Sequence, residues 1–291
     1  MHENTRIVGS LFLLGILILL FTGCTQPSDL REDGRLLVVV TIPPQEEMVR
    51  AVSGNRADVL VMIPPGSDPH TYEPTPQQVA LASRATLYLT IGKGLFPIED
   101  SVSSRLQTLN PDLVVVDGSS GIKYLGEGAT PDPHVWLSLR NWKHMVENTK
   151  DALTGVDRSN ESSYRSGSDA YAAQIDQLDR TIDGYFTGKV NRTIIVSHPA
   201  WAYFARDYDL FVITIEEEGK EPTPRELAGI VDQARENGLT RVFTDGLENP
   251  RNAEVIAREI DGTVEAVNPL AADYLANMDR TAQAFARSLP A

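Results

Sequence analysis

Short apolar runs alternate with helix-like patterns along most of the chain. Uninterrupted apolar runs predict buried strands, and segments with apolar residues at helical spacing predict helices between them. In the first half the predicted strands are Leu36–Thr41, Val59–Ile63, Thr86–Ile91 and Leu113–Val116, and the predicted helices are Gln45–Val52, Thr75–Ser83 and Ile98–Leu109. Strands that alternate with helices form βαβ units, so this half is predicted to be an α/β lobe with a mostly parallel sheet.

The same alternation recurs in the second half of the chain. It predicts strands at Thr193–Val196, Leu210–Ile215, Arg241–Phe243 and Thr263–Val267, and helices at Trp201–Tyr208, Pro224–Asn237 and Asn249–Ile260. A second α/β lobe is therefore predicted, again with helices flanking a mostly parallel sheet.

A long amphipathic segment, Glu161–Phe186, connects the two halves. Apolar residues recur in it at helical spacing, with a polar face between them: Tyr164, Tyr171, Ile175, Leu178, Ile182 and Phe186. At 1.5 Å per residue, such a helix would be about 39 Å long, although Gly167 and Gly184 have low helix propensity. The predicted fold is thus two α/β lobes bridged by one long, rigid helix. The predicted boundaries are residues 36–158 for the first lobe, 159–188 for the linker helix and 189–291 for the second.

The amino-terminal segment has the features of an export signal. Its apolar stretch, Ile7–Phe21, is 15 residues long, shorter than the roughly 20 residues that a spanning helix needs. The sequence Phe21-Thr22-Gly23-Cys24 resembles a lipobox, in which the cysteine receives a thioether-linked lipid. We therefore predict a signal peptide at residues 1–24, lipidation of Cys24, and a flexible tether at residues 25–35, with an uncleaved amino-terminal anchor as the alternative.

Charge and cysteine content narrow the function. The chain carries 26 Lys and Arg against 40 Asp and Glu, a formal net charge of -14, which disfavours binding to nucleic acid. Its single cysteine, Cys24, excludes both a disulfide framework and a cysteine-rich zinc module. Any transition-metal site must therefore use histidines together with oxygen ligands.

Three histidines occur in similar settings. Asp68-Pro69-His70 and Asp132-Pro133-His134 are identical tripeptides, and the third histidine begins His198-Pro199. Each follows a predicted buried strand, the second after a long loop, and the carboxyl ends of strands face the ligand crevice in open α/β sheets. An adjacent proline stiffens the loop that holds each imidazole. Three neutral imidazoles suit Zn²⁺. His144 lies in a predicted helix without such a setting and is interpreted as a surface or packing residue.

The histidines lie in longer motifs that resemble a known family. Gly66-Ser67-Asp68-Pro69-His70-Thr71-Tyr72-Glu73-Pro74-Thr75-Pro76, Asp132-Pro133-His134-Val135-Trp136-Leu137 and His198-Pro199-Ala200-Trp201-Ala202-Tyr203-Phe204 are similar to the motifs of the zinc- and manganese-binding lipoproteins of ABC importers, the cluster 9 or A-I solute-binding proteins. The resemblance runs from about Leu36 to the carboxyl terminus. It implies metal capture in the cleft between two lobes and delivery to a membrane permease driven by a cytoplasmic ATPase.

The resemblance also implies roles for individual residues. His70 and His134 match the ligands of the first lobe and His198 matches the first ligand of the second, where a histidine favours Zn²⁺ over the alternative Mn²⁺. Relatives commonly have an aspartate after the last strand, where this chain has Asn268, so the fourth position is open to Asn268, Asp245 or water. The His-rich loop of many zinc importers is absent, because residues 118–131 contain no histidine. The expected protein is a monomer on the outer face of the cell membrane.

Several acidic residues, and the function itself, allow more than one interpretation. Asp68 and Glu73 could orient imidazole N–H groups or cap the helix that begins near Thr75, and the acidic run at residues 216–221 is interpreted as a solvated surface. A zinc hydrolase or lyase could use the same three histidines, but the chain has no His-Glu-x-x-His helix and no serine nucleophile motif. An adhesion protein with a structural metal is the third alternative.

Overall fold

The computed structural model describes residues 34–126, 131–216, 220–247 and 249–290. The predicted signal peptide, Cys24 and nearly all of the predicted tether lie outside these residues. Within the described part of the chain, no helix has the length and apolar character needed to cross a membrane.

The first lobe is built on a parallel four-stranded sheet. Its strands are β1 (Leu36–Val40), β2 (Ala57–Val61), β3 (Leu87–Thr90) and β4 (Val114–Asp117), in the order β2-β1-β3-β4. The helices that follow them are α1 (Pro44–Ser53), α2 (Pro76–Ala82), α3 (Pro97–Leu109) and α4 (Leu139–Val156). The central strands β1 and β3 are almost wholly buried, as their uninterrupted apolar sequences predict, whereas the edge strand β4 is partly exposed.

The second lobe repeats this arrangement. Strands β5 (Thr193–Val196), β6 (Phe211–Thr214), β7 (Arg241–Thr244) and β8 (Thr263–Ala266) form a parallel sheet in the order β6-β5-β7-β8. Its helices are α6 (Ala202–Tyr208), α7 (Pro224–Glu236), α8 (Arg251–Glu259) and α9 (Tyr274–Ser288). In each sheet the second strand in sequence lies on one side of the first strand, and the third strand lies on its other side. Each sheet therefore has a crevice at the carboxyl ends of its two central strands, where α/β proteins bind ligands.

A single helix of 26 residues, α5 (Glu161–Phe186), joins the lobes. It packs against α1 and α4 of the first lobe and against α9 of the second. Its buried face contains most of the apolar residues that the spacing predicts, with Leu178 only half-buried. The sequence prediction of two α/β lobes bridged by one long helix is confirmed.

A second set of contacts fastens the lobes beside α5. The rings of Trp142 and Tyr274 stack with their centroids 4.1 Å apart, and the Tyr274 hydroxyl donates to the carbonyl of Trp136 at 2.6 Å. Trp136 in turn donates from its indole nitrogen to the carbonyl of Pro269 at 2.8 Å. These large buried rings, each with its polar atom paired, make the seam between the lobes stiff.

The boundaries of some elements differ from the sequence prediction. Strand β2 begins two residues earlier than predicted, because Ala57 pairs with Leu36 at the start of β1. Met62 and Ile63 are buried just beyond the strand, where their amides still donate to carbonyls of the β1 segment. The apolar pattern alone could not separate the end of the strand from this buried bend. The apolar pattern did not predict α9, and it predicted α4 only as a helical setting for His144.

Gly167 explains how closely α5 approaches the first lobe. A Cβ atom at this position would lie 2.4 Å from the Val52 carbonyl oxygen and 2.7 Å from that of Ala51, at the end of α1. Neither backbone oxygen can move easily. The glycine therefore permits close helix packing at a position where helix propensity alone would favour alanine.

We predict that Gly167→Ala lowers the free energy of unfolding by about 1–3 kcal/mol, the usual cost of overpacking. Gly184 provides the matched control in the same helix, since a Cβ there would meet nothing within 4 Å. Gly184→Ala should stabilise the protein by about 0.5–1 kcal/mol through helix propensity. Urea unfolding of both variants measures the difference, and equal effects would contradict the close-packing explanation.

Candidate metal centre

His70 lies in the loop that connects β2 to α2. The Asp68 side chain closes a turn there: one carboxylate oxygen accepts from the His70 amide at 2.9 Å and the other from the Thr71 hydroxyl at 2.8 Å. The loop ends at a capping box in which Thr75 and Gln78 pair reciprocally at the start of α2. Side chains at both ends of the loop thus fix its path.

His134 is the most buried of the three histidines, with 6% of its surface exposed. One oxygen of Asp132 accepts from the backbone amide of His134 at 2.9 Å and from its ring Nδ1 at 2.8 Å. Because a carboxylate can only accept, this bond places the ring proton on Nδ1 and directs the lone pair of Nε2 into the cleft. Burial lowers the pKa of His134, and the nearby Asp132 offsets part of that effect. The neutral, metal-binding form is therefore favoured.

His198 comes from the second lobe, directly after β5. The amide of Ser197 donates to the carbonyl of Phe243 on β7 at 2.7 Å, which extends the pairing of the sheet up to the histidine. A short 3-10 helix, Pro199–Trp201, follows and leads into α6. His198 is thus anchored by the sheet on one side and by a helix on the other.

The structure brings all three imidazoles together. Their ring centroids are 5.0 to 5.6 Å apart, and one nitrogen of each ring lies within 4.8 Å of the others. The Nε2 atoms of His134 and His198 are 3.2 Å apart. Two nitrogens bound at about 2.0–2.1 Å to a tetrahedral Zn²⁺ would be about 3.3 Å apart, so this pair already has the required spacing.

The cavity at the three histidines is about 70 Å³ in volume. Pockets for organic ligands are commonly about 300–1,000 Å³, so this space suits an ion better than a larger solute. Apart from the histidines, the lining consists of Asp68, Pro69, Trp136, Asp245, Leu247, Pro269 and Leu270. This largely apolar lining strengthens the interaction of any charge inside it with nearby ligands.

The two protein candidates for a fourth ligand differ in position. Asp245 follows β7 and lines the cavity, while one of its oxygens accepts from the Leu247 amide at 2.9 Å. Asn268 is absent from the lining; its side-chain oxygen accepts from the Leu270 amide at 2.8 Å and so closes a turn. Of the two residues, Asp245 therefore lies at the cavity and Asn268 does not line it.

Aromatic rings support the two histidines of the first lobe. Phe96 lies 5.4 Å from the His70 ring, and Trp136 lies 5.3 Å from the His134 ring and 6.0 Å from Phe96, between centroids. The loop before Phe96 is held by Glu99, a buried carboxylate that accepts from the amides of Ile91 and Gly92. Burial raises the pKa of Glu99 to about 7.

Several residues play roles that the sequence did not reveal. Asp132 orients an imidazole ring, whereas Asp68, in an identical tripeptide, bonds to a backbone amide and a threonine. Glu73 is exposed, and Thr75 with Gln78 caps α2 in its place. The repeat of Asp two residues before His was the available signal, but the direction of each ring depends on tertiary packing.

His144 lies apart from the three histidines of the cavity. His144 is on α4, where its Nε2 pairs with the carbonyl of Ser120 at 2.8 Å. His2 and residues 217–219 of the acidic run fall outside the described residues.

Comparison with known proteins gives a consistent result. Residues 38–288 match the family model described as ZnuA, zinc-uptake complex component A, periplasmic. A crystal structure of ZnuA superimposes with a TM-score of 0.83 and 37% sequence identity, covering 87% of this chain and 99% of the other.

The curated relatives include proteins whose names specify manganese. The manganese-binding lipoprotein MntA of Halalkalibacterium halodurans is 29% identical over 246 residues, covering 82% of this chain and 81% of the relative. The manganese ABC transporter substrate-binding lipoprotein PsaA of Streptococcus mitis is 26% identical over 268 residues, covering 87% and 86%.

We predict that Asp132→Asn lowers the pKa of His134 in the metal-free protein. The substitution removes a carboxylate that favours the protonated ring, so the neutral form should persist to more acidic pH. NMR titration of the imidazole signals measures this shift. Asp68→Asn, in the matching tripeptide, is the control and should leave the pKa of His134 unchanged. A raised or unchanged pKa of His134 in Asp132→Asn would contradict the role assigned to Asp132.

Proposed function

The chain belongs to the ZnuA family of zinc-uptake components, and from that premise we propose that it captures Zn²⁺ between its two lobes and delivers the ion to an ABC permease. Proteins of this family are solute-binding components of metal importers rather than enzymes. The ion is thus the transported cargo, and the task of the site is to bind it reversibly.

One observation supports this proposal most directly: three imidazoles from two separate lobes converge, with one nitrogen of each ring within 4.8 Å of the others. We assign His70, His134 and His198 as the metal ligands. A site that needs ligands from both lobes can gain or lose its ion through a small change in their separation. This property suits a carrier better than a permanently bound structural metal.

The donor set favours Zn²⁺ over Mn²⁺. Zn²⁺ is commonly bound by three imidazoles with a fourth position left for water or a carboxylate, whereas Mn²⁺ prefers more oxygen ligands. The fourth position is assigned to Asp245, directly or through a water molecule, because its carboxylate lines the cavity. The manganese-binding relatives make Mn²⁺ the natural competitor in a binding test.

Delivery requires a membrane partner. The family functions with the permease of an ABC transporter, and the ATPase of that transporter would provide the energy for import. We further propose that the protein is a monomer on the outer face of the cell membrane, anchored by a lipid on Cys24 through a tether at residues 25–35. The lipobox-like sequence before Cys24 and the lipoprotein relatives support this anchoring.

We predict that the metal-free protein remains folded and binds one Zn²⁺ per chain. His134→Ala should weaken binding at least about 100-fold, because loss of a ligand should exceed the roughly 10- to 100-fold effect of losing an outer-shell partner. Isothermal titration calorimetry against a competing chelator gives both the stoichiometry and the affinity.

His144→Ala is the control for the three histidines of the cavity. His144 lies on α4, and its ring pairs with the Ser120 carbonyl instead of facing the cavity. The affinity of this variant for Zn²⁺ should equal that of the unmodified protein. Two tightly bound ions per chain, or equal affinity in His134→Ala, would overturn the assigned site.

We also predict that Asp245→Asn weakens Zn²⁺ binding about tenfold, less than removal of a histidine, since the amide keeps an oxygen but loses the charge. The loss should be larger for Mn²⁺, a harder ion that depends more on carboxylate oxygen. Parallel titrations with the two metals measure both effects, and unchanged affinities would assign the fourth position to water alone.

A further inference from the structure

Tyr203, on α6 of the second lobe, makes two hydrogen bonds to the first lobe. Its hydroxyl donates to the carbonyl of Asp132 at 2.9 Å and accepts from the amide of Leu125 at 2.9 Å. The amide of Asp132 also donates to the carbonyl of Leu125 at 2.8 Å. The tyrosine thus pairs with the backbone of both Leu125 and Asp132, which also pair with each other. It is fully buried, so no bulk water competes for these bonds.

This tyrosine connects the two segments that carry ligands from opposite lobes. Tyr203 comes five residues after His198, and Asp132 comes two residues before His134. The Asp132 carboxylate also orients the His134 ring. A shift of the Asp132 backbone would therefore move the imidazole that faces His198.

The same helix also contacts the segment beyond His134. One turn after Tyr203, the buried carboxylate of Asp207 accepts from the hydroxyl of Ser138, the residue that caps α4. Arg206 pairs with Asp207 at 2.7 Å and neutralises its charge. Helix α6 therefore holds the His134 segment from both sides, through Tyr203 before the histidine and Asp207 after it.

We propose that Tyr203 is a positioning residue that acts as a clasp between the lobes and sets the lifetime of the bound metal. The inference rests on the proposed function, because it assumes that the triad holds the ion. Without the hydroxyl, the Leu125 amide and the Asp132 carbonyl lose their partner, and the His134 segment can move relative to His198. Loss of such preorganisation acts mainly on the dissociation rate.

The experiment compares Tyr203→Phe with Tyr208→Phe in the full chain. Tyr208 is a buried tyrosine on the same helix, but its hydroxyl donates to Asp179 on α5 at 2.8 Å. Stopped-flow transfer of Zn²⁺ to a chelator should be about tenfold faster for Tyr203→Phe, as expected for a lost buried hydrogen bond, and unchanged for Tyr208→Phe. Equal release rates in Tyr203→Phe and the unmodified protein would overturn the clasp.

A thermodynamic cycle separates positioning from general loosening of the fold. In a His134→Ala background, Tyr203→Phe should cause no further loss of Zn²⁺ affinity, because the ligand that it positions is gone. In a His70→Ala background, Tyr203→Phe should still lower the Zn²⁺ affinity about tenfold. The same loss in both backgrounds would show a merely structural role and overturn the proposal.

Urea titration checks whether Tyr203→Phe remains folded. If it does not, Ser138→Ala provides a second variant. It removes the other attachment of α6 and should also accelerate release; an unchanged rate would overturn the clasp. Failure of the clasp remains distinct from failure of the function. If the unmodified protein does not bind Zn²⁺, the function fails, whereas normal binding with unaltered release in the variants removes only the clasp.

Discussion

The proposed metal site depends on one geometric constraint: imidazoles carried by two separate lobes must be held a few ångströms apart. Neither lobe supplies all three imidazoles, since His70 and His134 come from the first and His198 from the second. Parallel strands direct all their carboxyl ends to one edge of each sheet. The strand order repeated in both lobes therefore brings the loops that carry the histidines to the same cleft.

The distance between the sheets is set by structures outside the cleft. Helix α5 packs on both lobes, and Gly167 lets it approach the end of α1 without a side chain between them. Beside it, Tyr171 donates to Glu47 at 2.6 Å, and the same carboxylate accepts from the Leu275 amide at 3.3 Å. A seam with so many paired buried groups favours small adjustments of the loops over wide hinge opening. In the proposed function, contacts beside the three histidines, such as those of α6, are then the ones that can alter how the ion is held.

Much of this arrangement could be predicted from the sequence, for identifiable reasons. The buried strands are uninterrupted apolar runs, and α5 has a long apolar stripe, so both patterns are strong. Helices α4 and α9 have comparable spacing, as in Trp142, Met145 and Val146 of α4, but they lie next to the metal motifs and were not assigned. The different roles of Asp68 and Asp132 were not predictable, since the two tripeptides are identical. Asp132 bonds to the ring of His134, whereas Asp68 bonds to the His70 amide and the Thr71 hydroxyl, a difference that depends on the fold around each tripeptide.

The burial of His134 also affects how the site competes with protons. A histidine exposed to water must often give up a proton before it can bind a cation, and mild acid then weakens the complex. Here burial lowers the pKa of His134, and Asp132 fixes its tautomer, so both favour the neutral ring that a metal ion needs. At this histidine, protons therefore compete less with a cation than they would at an exposed imidazole. In the proposed function, this histidine would keep its metal-binding form in surroundings more acidic than those that an exposed histidine tolerates.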